Sequence, residues 1–260
     1  MYSSYKVTKI NSISEVNVNI NNHNQFILKK NAFIYSSKKN NNQLIVFFHG
    51  AIWKGVKVPI FRGYQYHSSV PNTDILSLSD VLLKDYENKE LKLSWFLSTE
   101  KEDLFKTYVS IISKILEKNY KKVLFTGASG GGYPAIKFSS YFNKSCLIQN
   151  SQIYLEEYFY FNELKKIVND VKYTDINKFI KENGPPKDIL ICQNQLDTEH
   201  YEKHALPFEE FIKKNYSNVK CKTNYFKIEA PKGSGKHAHH YNLPVYLQYH
   251  DLLYVALQNI

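Results

Sequence analysis

Runs of apolar residues alternate along the chain with segments whose apolar residues have helical spacing. Residues 44–48 are all apolar, which is typical of a strand covered on both faces in a parallel sheet. The same reasoning predicts further strands at 74–78, 123–126, 145–149, 188–192 and 222–230. Helices are predicted at 102–119, 133–142, 199–215 and 241–257. This alternation predicts one α/β domain over residues 1–260, with a mostly parallel central sheet and helices on both faces.

The first part of the chain has a different pattern. Residues 5–35 alternate polar and apolar side chains between Asn-rich turns, which predicts antiparallel strands at an edge of the sheet. Residues 61–66 and 91–97 are candidates for short strands.

An aromatic-rich segment, residues 151–186, follows the strand predicted at 145–149 and ends in Gly184-Pro185-Pro186. Its pattern is helical. One interpretation is a small helical insertion that forms a lid or cap, with rings that stack on sugars. The other is a crossover helix whose rings pack into the core. The sequence leaves both open.

Gly127-Ala128-Ser129-Gly130-Gly131 lies between a predicted strand and a predicted helix, the context that a nucleophile elbow requires. A serine at such a turn projects from the sheet edge. Flanking glycines let the strand and helix approach without Cβ clashes, and the amino-terminal end of the helix favours negative charge. Ser129 is therefore the candidate nucleophile.

Two other glycine-rich motifs fit less well. A dinucleotide fingerprint needs Gly-x-Gly-x-x-Gly, and its second glycine position here is Ser129. A phosphate-binding loop needs Gly-Lys followed by Ser or Thr, whereas Gly235-Lys236 is followed by His237.

The predicted strand at 44–48 ends in His49-Gly50-Ala51. The loop after such a strand is where the elbow fold places a backbone N–H that binds the oxyanion. We assign this donor to Ala51, with Ile52 as the neighbouring alternative, and the second donor to Gly130. Loss of one oxyanion donor typically costs about 2.7–4 kcal/mol of barrier.

A serine nucleophile needs a histidine base, and the base needs a carboxylate to orient it. In this fold the order along the chain is Ser, acid, His. Asp197 follows a predicted strand and leads as the acid, with Glu199 in reserve. His237 leads as the base, with His239 and His240 as alternatives.

Charge and composition restrict the partners. The formal charge is +10, but Arg62 is the only arginine, and readers of nucleic acids rely on arginine. Nucleic acid is therefore not an expected partner. Solvated surface lysines explain the charge most simply, and an anionic partner, such as a charged glycan or coenzyme A phosphates, is the alternative. The sequence does not set the oligomeric state.

Disulfides, signal peptides or membrane-spanning segments, and metal or cofactor sites are not expected. The odd number of cysteines, all in apolar segments, favours reduced thiols, and no signal-peptide or membrane-spanning pattern is found, so a cytoplasmic location is predicted. His200 and His204 have helical i, i+4 spacing but lack the glutamate of His-Glu-x-x-His. No metal and no bound cofactor are expected.

Taken together, these motifs resemble the α/β-hydrolase superfamily over most of the chain. They are Phe48-His49-Gly50, Gly127-Ala128-Ser129-Gly130-Gly131, Gln195-Leu196-Asp197 and Ser234-Gly235-Lys236-His237. Shorter pieces are similar to small enzymes of bacterial surface-polysaccharide clusters. They are Ser129-Gly130-Gly131-Gly132-Tyr133, Leu93-Ser94-Trp95, Asn150-Ser151-Gln152 and Asp197-Thr198-Glu199-His200-Tyr201. One departure is Lys236, where many relatives have glycine.

The resemblance implies a Ser129-His237-Asp197 triad and an acyl-enzyme intermediate. It favours an O-acetyltransferase of a capsular or surface polysaccharide, with acetyl-CoA as donor. The alternatives are an esterase or deacetylase of acylated glycans or small esters, and a glycan-binding protein without catalysis. His49, Trp95 and Lys236 are candidate substrate-binding residues.

Overall fold

The structure, a computed structural model, describes residues 7–18, 25–28, 33–53, 56, 58–86, 91–168, 171–229 and 249–260. Its strands are β1 Val7–Ile10, β2 Gln25–Leu28, β3 Phe33–Ser36, β4 Gln43–Phe48, β5 Thr73–Leu78, β6 Ser98–Thr99, β7 Lys122–Ala128, β8 Ser145–Gln149, β9 Val171–Lys172, β10 Asp188–Asn194 and β11 Lys220–Phe226. Its α-helices are α1 Val81–Asp85, α2 Leu104–Leu116, α3 Gly132–Phe142, α4 Phe159–Ile167, α5 Ile176–Asn183, α6 Thr198–His200, α7 Leu206–Asn215 and α8 Tyr249–Asn259.

Seven strands form the central sheet, in the order β11-β10-β8-β7-β4-β5-β3. Every neighbouring pair is parallel except β3 and β5. The sequence prediction of a mostly parallel α/β sheet is confirmed.

Both faces of the sheet are covered, as the continuous apolar runs predict. In β4, Leu44, Val46 and Phe48 belong to one buried cluster, whereas Ile45 and Phe47 belong to the other. This division follows from the alternation of side chains along a strand. Helices α2, α3, α5 and α7 contribute to the first cluster, and α8 contributes to the second.

Some predicted elements differ from those observed. At the amino-terminal end, β3 is antiparallel to its neighbour as predicted, but β1 and β2 pair in parallel with each other. The predicted strand at 61–66 is wrong, because Gly63 with φ 88° leads into a 3₁₀ helix, Tyr64–Ser68. The predicted strand at 91–97 is also wrong, because positive φ values at Trp95 and Phe96 turn the chain, and the next strand begins at Ser98.

The segment 151–186 packs against the body of the protein. It contains α4, β9 and α5, and β9 pairs with β6. The ammonium of Lys137 in α3 is surrounded by the rings of Phe105, Tyr133, Tyr173 and Phe179 at 5.1–5.6 Å. Lys137 also donates to the carbonyl of Tyr173, which ties the segment to α3. A lid role for this segment stays a prediction.

None of the helices in the described part of the chain combines the length and the apolar character needed to cross a bilayer.

Candidate active site

Ser129 occupies a sharp turn at the carboxyl end of β7. Its φ is 55°, in the left-handed region that residues with a Cβ rarely adopt, and the 3₁₀ turn Ser129–Gly131 leads directly into α3. A Cβ on Gly127 would stand 2.1 Å from the carbonyl oxygen of Gly131, and one on Gly131 would stand 2.4 Å from that of Phe48. Only glycine fits at these two positions, which explains the Gly-x-Ser-x-Gly spacing.

The loop after β4 lies against this turn. A Cβ on Gly50 would stand 3.2 Å from the Cβ of Ser129 and 3.5 Å from the nitrogen of Gly130. The N–H of Ile52 donates to the carbonyl of Lys92 at 2.8 Å, so this N–H already has a partner within the protein. The assignment of the oxyanion donor to Ala51 stays a prediction.

His49 holds this loop from behind. The backbone N–H of Asp80 can only donate, so the Nε2 of His49, 3.0 Å away, must accept. The Nδ1 therefore carries the hydrogen and donates to the carbonyl of Gly50 at 2.7 Å. Burial lowers the pKa of His49, which agrees with a neutral ring. His49 lies in the wall of a cavity in front of Ser129, which is described below, but both ring nitrogens are bonded to the protein's own backbone.

The carboxylate of Asp80 anchors a second loop. Its Oδ2 accepts hydrogen bonds from Ser94 Oγ at 2.5 Å and from Phe96 N at 3.0 Å. Burial raises the pKa of Asp80. These bonds fix the segment that carries Trp95, a fully buried residue.

Gln152, in the loop after β8, contacts the candidate nucleophile directly. Its Nε2 lies 3.4 Å from Ser129 Oγ, and its backbone N–H donates to the carbonyl of Ser129 at 3.1 Å. The indole N–H of Trp95 donates to the Oε1 of Gln152 at 3.0 Å. Neither Trp95 nor Gln152 is among the described residues that line the cavity in front of Ser129, and both are buried.

Asp197 follows β10 at the same edge of the sheet, because the carboxyl ends of parallel strands meet there. Its Oδ1 lies 2.8 Å from the Nδ1 of His200. The Nδ1 of His204 accepts from the backbone nitrogens of Ile153 and Tyr154 at 3.3 and 3.2 Å. Burial, followed by the charge of His200, lowers the pKa of His204 to about 3.

The proposed base and its neighbours, Lys236, His237, His239 and His240, lie outside the described residues. The assignment of His237 as the base therefore stays a prediction. No cluster of three potential metal ligands occurs in the part of the chain that the structure describes.

A cavity of about 470 Å³ opens in front of Ser129. Its wall includes the loop after β4 at Gly50 and Ala51, together with Trp53 and Arg62. Aromatic rings from three parts of the chain, Phe47, Tyr66 and Tyr249, form another part of the wall. The site thus combines a strained serine with an apolar surface and one guanidinium.

Sequence reasoning gave no site role to Gln152 or Arg62. Gln152 follows the strand next to the elbow strand, so its place at the carboxyl edge of the sheet was a usable signal. Arg62 stood out as the only arginine, but the irregular loop that brings it to the cavity has no sequence periodicity.

No family model and no curated protein matches this sequence. Solved structures do match its fold. A mutant of the capsule O-acetyltransferase of Neisseria meningitidis serogroup A, in complex with CoA, has a TM-score of 0.55 at 17% identity, over 79% of this chain and 87% of that one. The S-formylglutathione hydrolase of Agrobacterium tumefaciens has a TM-score of 0.56 at 12% identity, over 76% and 82%.

Dipeptidyl peptidase 4 of Porphyromonas gingivalis matches with a TM-score of 0.53 at 11% identity, over 76% of this chain and 30% of that one. At such identities the likeness establishes the fold alone. The protein has the α/β-hydrolase fold, which confirms the fold that the motifs predict.

Proposed function

We propose that the protein is a serine acyl-transfer enzyme that moves acetyl groups from acetyl-CoA to a capsular or other surface polysaccharide. The observation that carries this proposal is the placement of Ser129 at a left-handed turn beside the Ala51 loop, at the wall of a cavity. A strained backbone of this kind typically marks a functional residue.

In the proposed reaction, Ser129 Oγ attacks the thioester carbonyl while His237 takes the hydroxyl proton. Asp197 orients the imidazole and stabilises its charged form. The N–H groups of Ala51 and Gly130 stabilise the oxyanion. The carbon–sulfur bond then breaks, the thiol leaves with the proton, and an acetyl ester remains on Ser129.

In the second half, a sugar hydroxyl loses its proton to His237 and attacks the ester carbonyl. The bond from carbon to Ser129 Oγ breaks, and the serine recovers its proton. An esterase or deacetylase would run the same steps with water as the second reactant, since the difference lies in water exclusion and acceptor positioning.

Two side chains at the cavity support an anionic donor and a ring-shaped ligand. Arg62 is exposed, and none of the ion pairs among the described residues involves it. A guanidinium is well suited to bind phosphate. Trp53 is 64% exposed and lines the same cavity, where its flat face can pack on a sugar or a nucleobase. The CoA complex of a protein with the same fold agrees with this donor.

The test supplies acetyl-CoA with purified capsular oligosaccharides and follows free thiol and glycan mass. A transferase increases the mass of the glycan by one acetyl group for each thiol released. Thiol release with free acetate and no glycan mass gain would favour the esterase instead. A Ser129→Ala sample provides the background. Equal thiol release by this variant and the wild type, together with no labelling of Ser129 by a fluorophosphonate, would favour the non-catalytic alternative.

The Arg62→Gln substitution is expected to raise KM for acetyl-CoA about 10–100-fold, the value of a charge-assisted hydrogen bond of about 1.5–3 kcal/mol. The KM for an acetyl thioester that lacks phosphate groups, and kcat for both donors, should change little. Arg62→Lys keeps the charge but loses the planar guanidinium, so its KM for acetyl-CoA should lie between those of the wild type and Arg62→Gln. Steady-state kinetics with both donors measure this. An equal rise in KM for both donors would show that Arg62 does not bind phosphate.

A further inference from the structure

Gln152 contacts Ser129 through two hydrogen bonds. Its backbone N–H donates to the carbonyl of Ser129, and its side-chain Nε2 faces Ser129 Oγ at 3.4 Å. The residue is 1% exposed, so its amide does not exchange these contacts for water. A buried amide is costly unless its groups are bonded, and here the partner of the N–H group is the reactive oxygen of the site.

Trp95 determines the orientation of the side-chain amide of Gln152. An indole N–H can only donate, so the atom of Gln152 that it meets at 3.0 Å must be the oxygen. The NH₂ group then has to face Ser129. A flipped amide would place two donors opposite each other and present an acceptor to Ser129 Oγ. The orientation is therefore fixed by chemistry.

The backbone around Trp95 is itself held in an unusual conformation. Trp95 and Phe96 have φ values of 51° and 56°, and such residues typically cost about 1–3 kcal/mol each. The Asp80 carboxylate offsets this cost by accepting from Ser94 Oγ and Phe96 N. The Asp80 carboxylate thus stabilises the strained backbone at Trp95 and Phe96. This conformation places the indole N–H of Trp95 against the side-chain oxygen of Gln152.

We infer that Gln152 is a catalytic residue that donates a hydrogen bond to Ser129 Oγ, and that Trp95 is the positioning residue that fixes its orientation; this inference rests on the proposed function. In the resting site the amide N–H of Gln152 donates to a lone pair of Ser129 Oγ, which leaves the hydroxyl proton free to point to the base. As Oγ loses that proton to the base, its growing charge strengthens the bond. Once Oγ becomes an ester oxygen the bond weakens, and it strengthens again when the acetyl group leaves.

The experiment measures the rate at which a fluorophosphonate labels Ser129. Gln152→Met keeps the shape but removes the donor, and it should slow labelling about 10–100-fold, the value of a hydrogen bond to a charged group. Gln152→Glu should slow it further, because a carboxylate repels the charge that develops on Oγ. Trp95→Phe lets the amide adopt both orientations and should slow labelling by only about 2-fold, since about half of the molecules keep a donor facing Oγ.

Dependence on pH separates this role from a purely structural one. A carboxylate beside the base favours its protonated form, so the pH at which labelling reaches half its maximum should rise in Gln152→Glu. It should not move in Gln152→Met. The matched control is Gln193→Met, because Gln193 is a buried glutamine of β10 whose amide donates to the Asn194 carbonyl. This control should label at the wild-type rate. Melting curves identify variants that fail to fold.

The proposed function and the role of Gln152 can be refuted separately. Wild-type protein that is not labelled at Ser129 would refute the proposed function, and this inference with it. Labelled wild type, with folded Gln152→Met and Gln152→Glu variants that react at its rate, would refute only this inference. Should one of these variants not fold, the other and Trp95→Phe still decide it, since unchanged rates in both would overturn the role given to the amide.

Discussion

Ser129→Ala is expected to lower the turnover of p-nitrophenyl acetate by at least about 10⁴-fold, as the loss of a serine nucleophile typically does. The substitution removes the atom to which the acetyl group is transferred, and the oxyanion donors cannot replace that nucleophile. Initial rates over a range of ester concentrations measure the effect. Activity within about 10-fold of the wild type would show that the acyl group does not pass through Ser129.

A Ser129→Gly variant provides the matched comparison. It should be as inactive as Ser129→Ala, but it relieves the left-handed conformation, which costs alanine about 1–2 kcal/mol. The greater freedom of glycine in the unfolded chain offsets about 0.4–1 kcal/mol of that gain. The glycine variant should therefore be more stable than the alanine variant by up to about 1.6 kcal/mol in denaturant unfolding. A less stable glycine variant would contradict backbone strain at Ser129.

The parts of the fold that follow from local pattern were predictable from the sequence. The apolar run of β4 and the helical spacing of α2 each reflect burial on a regular element, and both elements form within a few residues of the predicted bounds. Gly-x-Ser-x-Gly was informative because close approach at Gly127 and Gly131 and the left-handed turn at Ser129 restrict these positions so strongly.

The rest of the site depends on contacts between distant parts of the chain, which leave no periodic signal. In the sequence His49 is only a polar residue at a strand end, and its bonds to the Asp80 N–H and the Gly50 carbonyl show that it holds the loop after β4. Residues 91–97 look like a strand because they are apolar, yet two positive φ values reverse the chain there. Gln152 and Trp95 meet across 57 residues of sequence.

Gly131→Ala is expected to destabilise the protein by about 4 kcal/mol or more, an effect seen only for severe steric or buried polar defects. The φ of Gly131 is −71°, which any residue adopts, so the cost is one of space. The new Cβ would stand 2.4 Å from the carbonyl oxygen of Phe48 and 3.1 Å from the carbonyl carbon of His49. Both are backbone atoms at the end of β4, where relief requires moving the loop after β4.

The melting temperature of Gly131→Ala should fall by about 8 °C or more, at about 2–4 °C per kcal/mol. Gly184→Ala is the control, because it has a positive φ of 89° but nothing within 4 Å of its new Cβ. It should lose only about 1–3 kcal/mol, the cost of placing alanine at φ 89° and ψ 161°, a backbone region that glycine alone adopts readily. A Gly131→Ala protein that melts no lower than Gly184→Ala would contradict the close contact of the elbow with β4. A folded fraction of Gly131→Ala should also be slow in acyl transfer, since the same displacement separates Ala51 from Ser129.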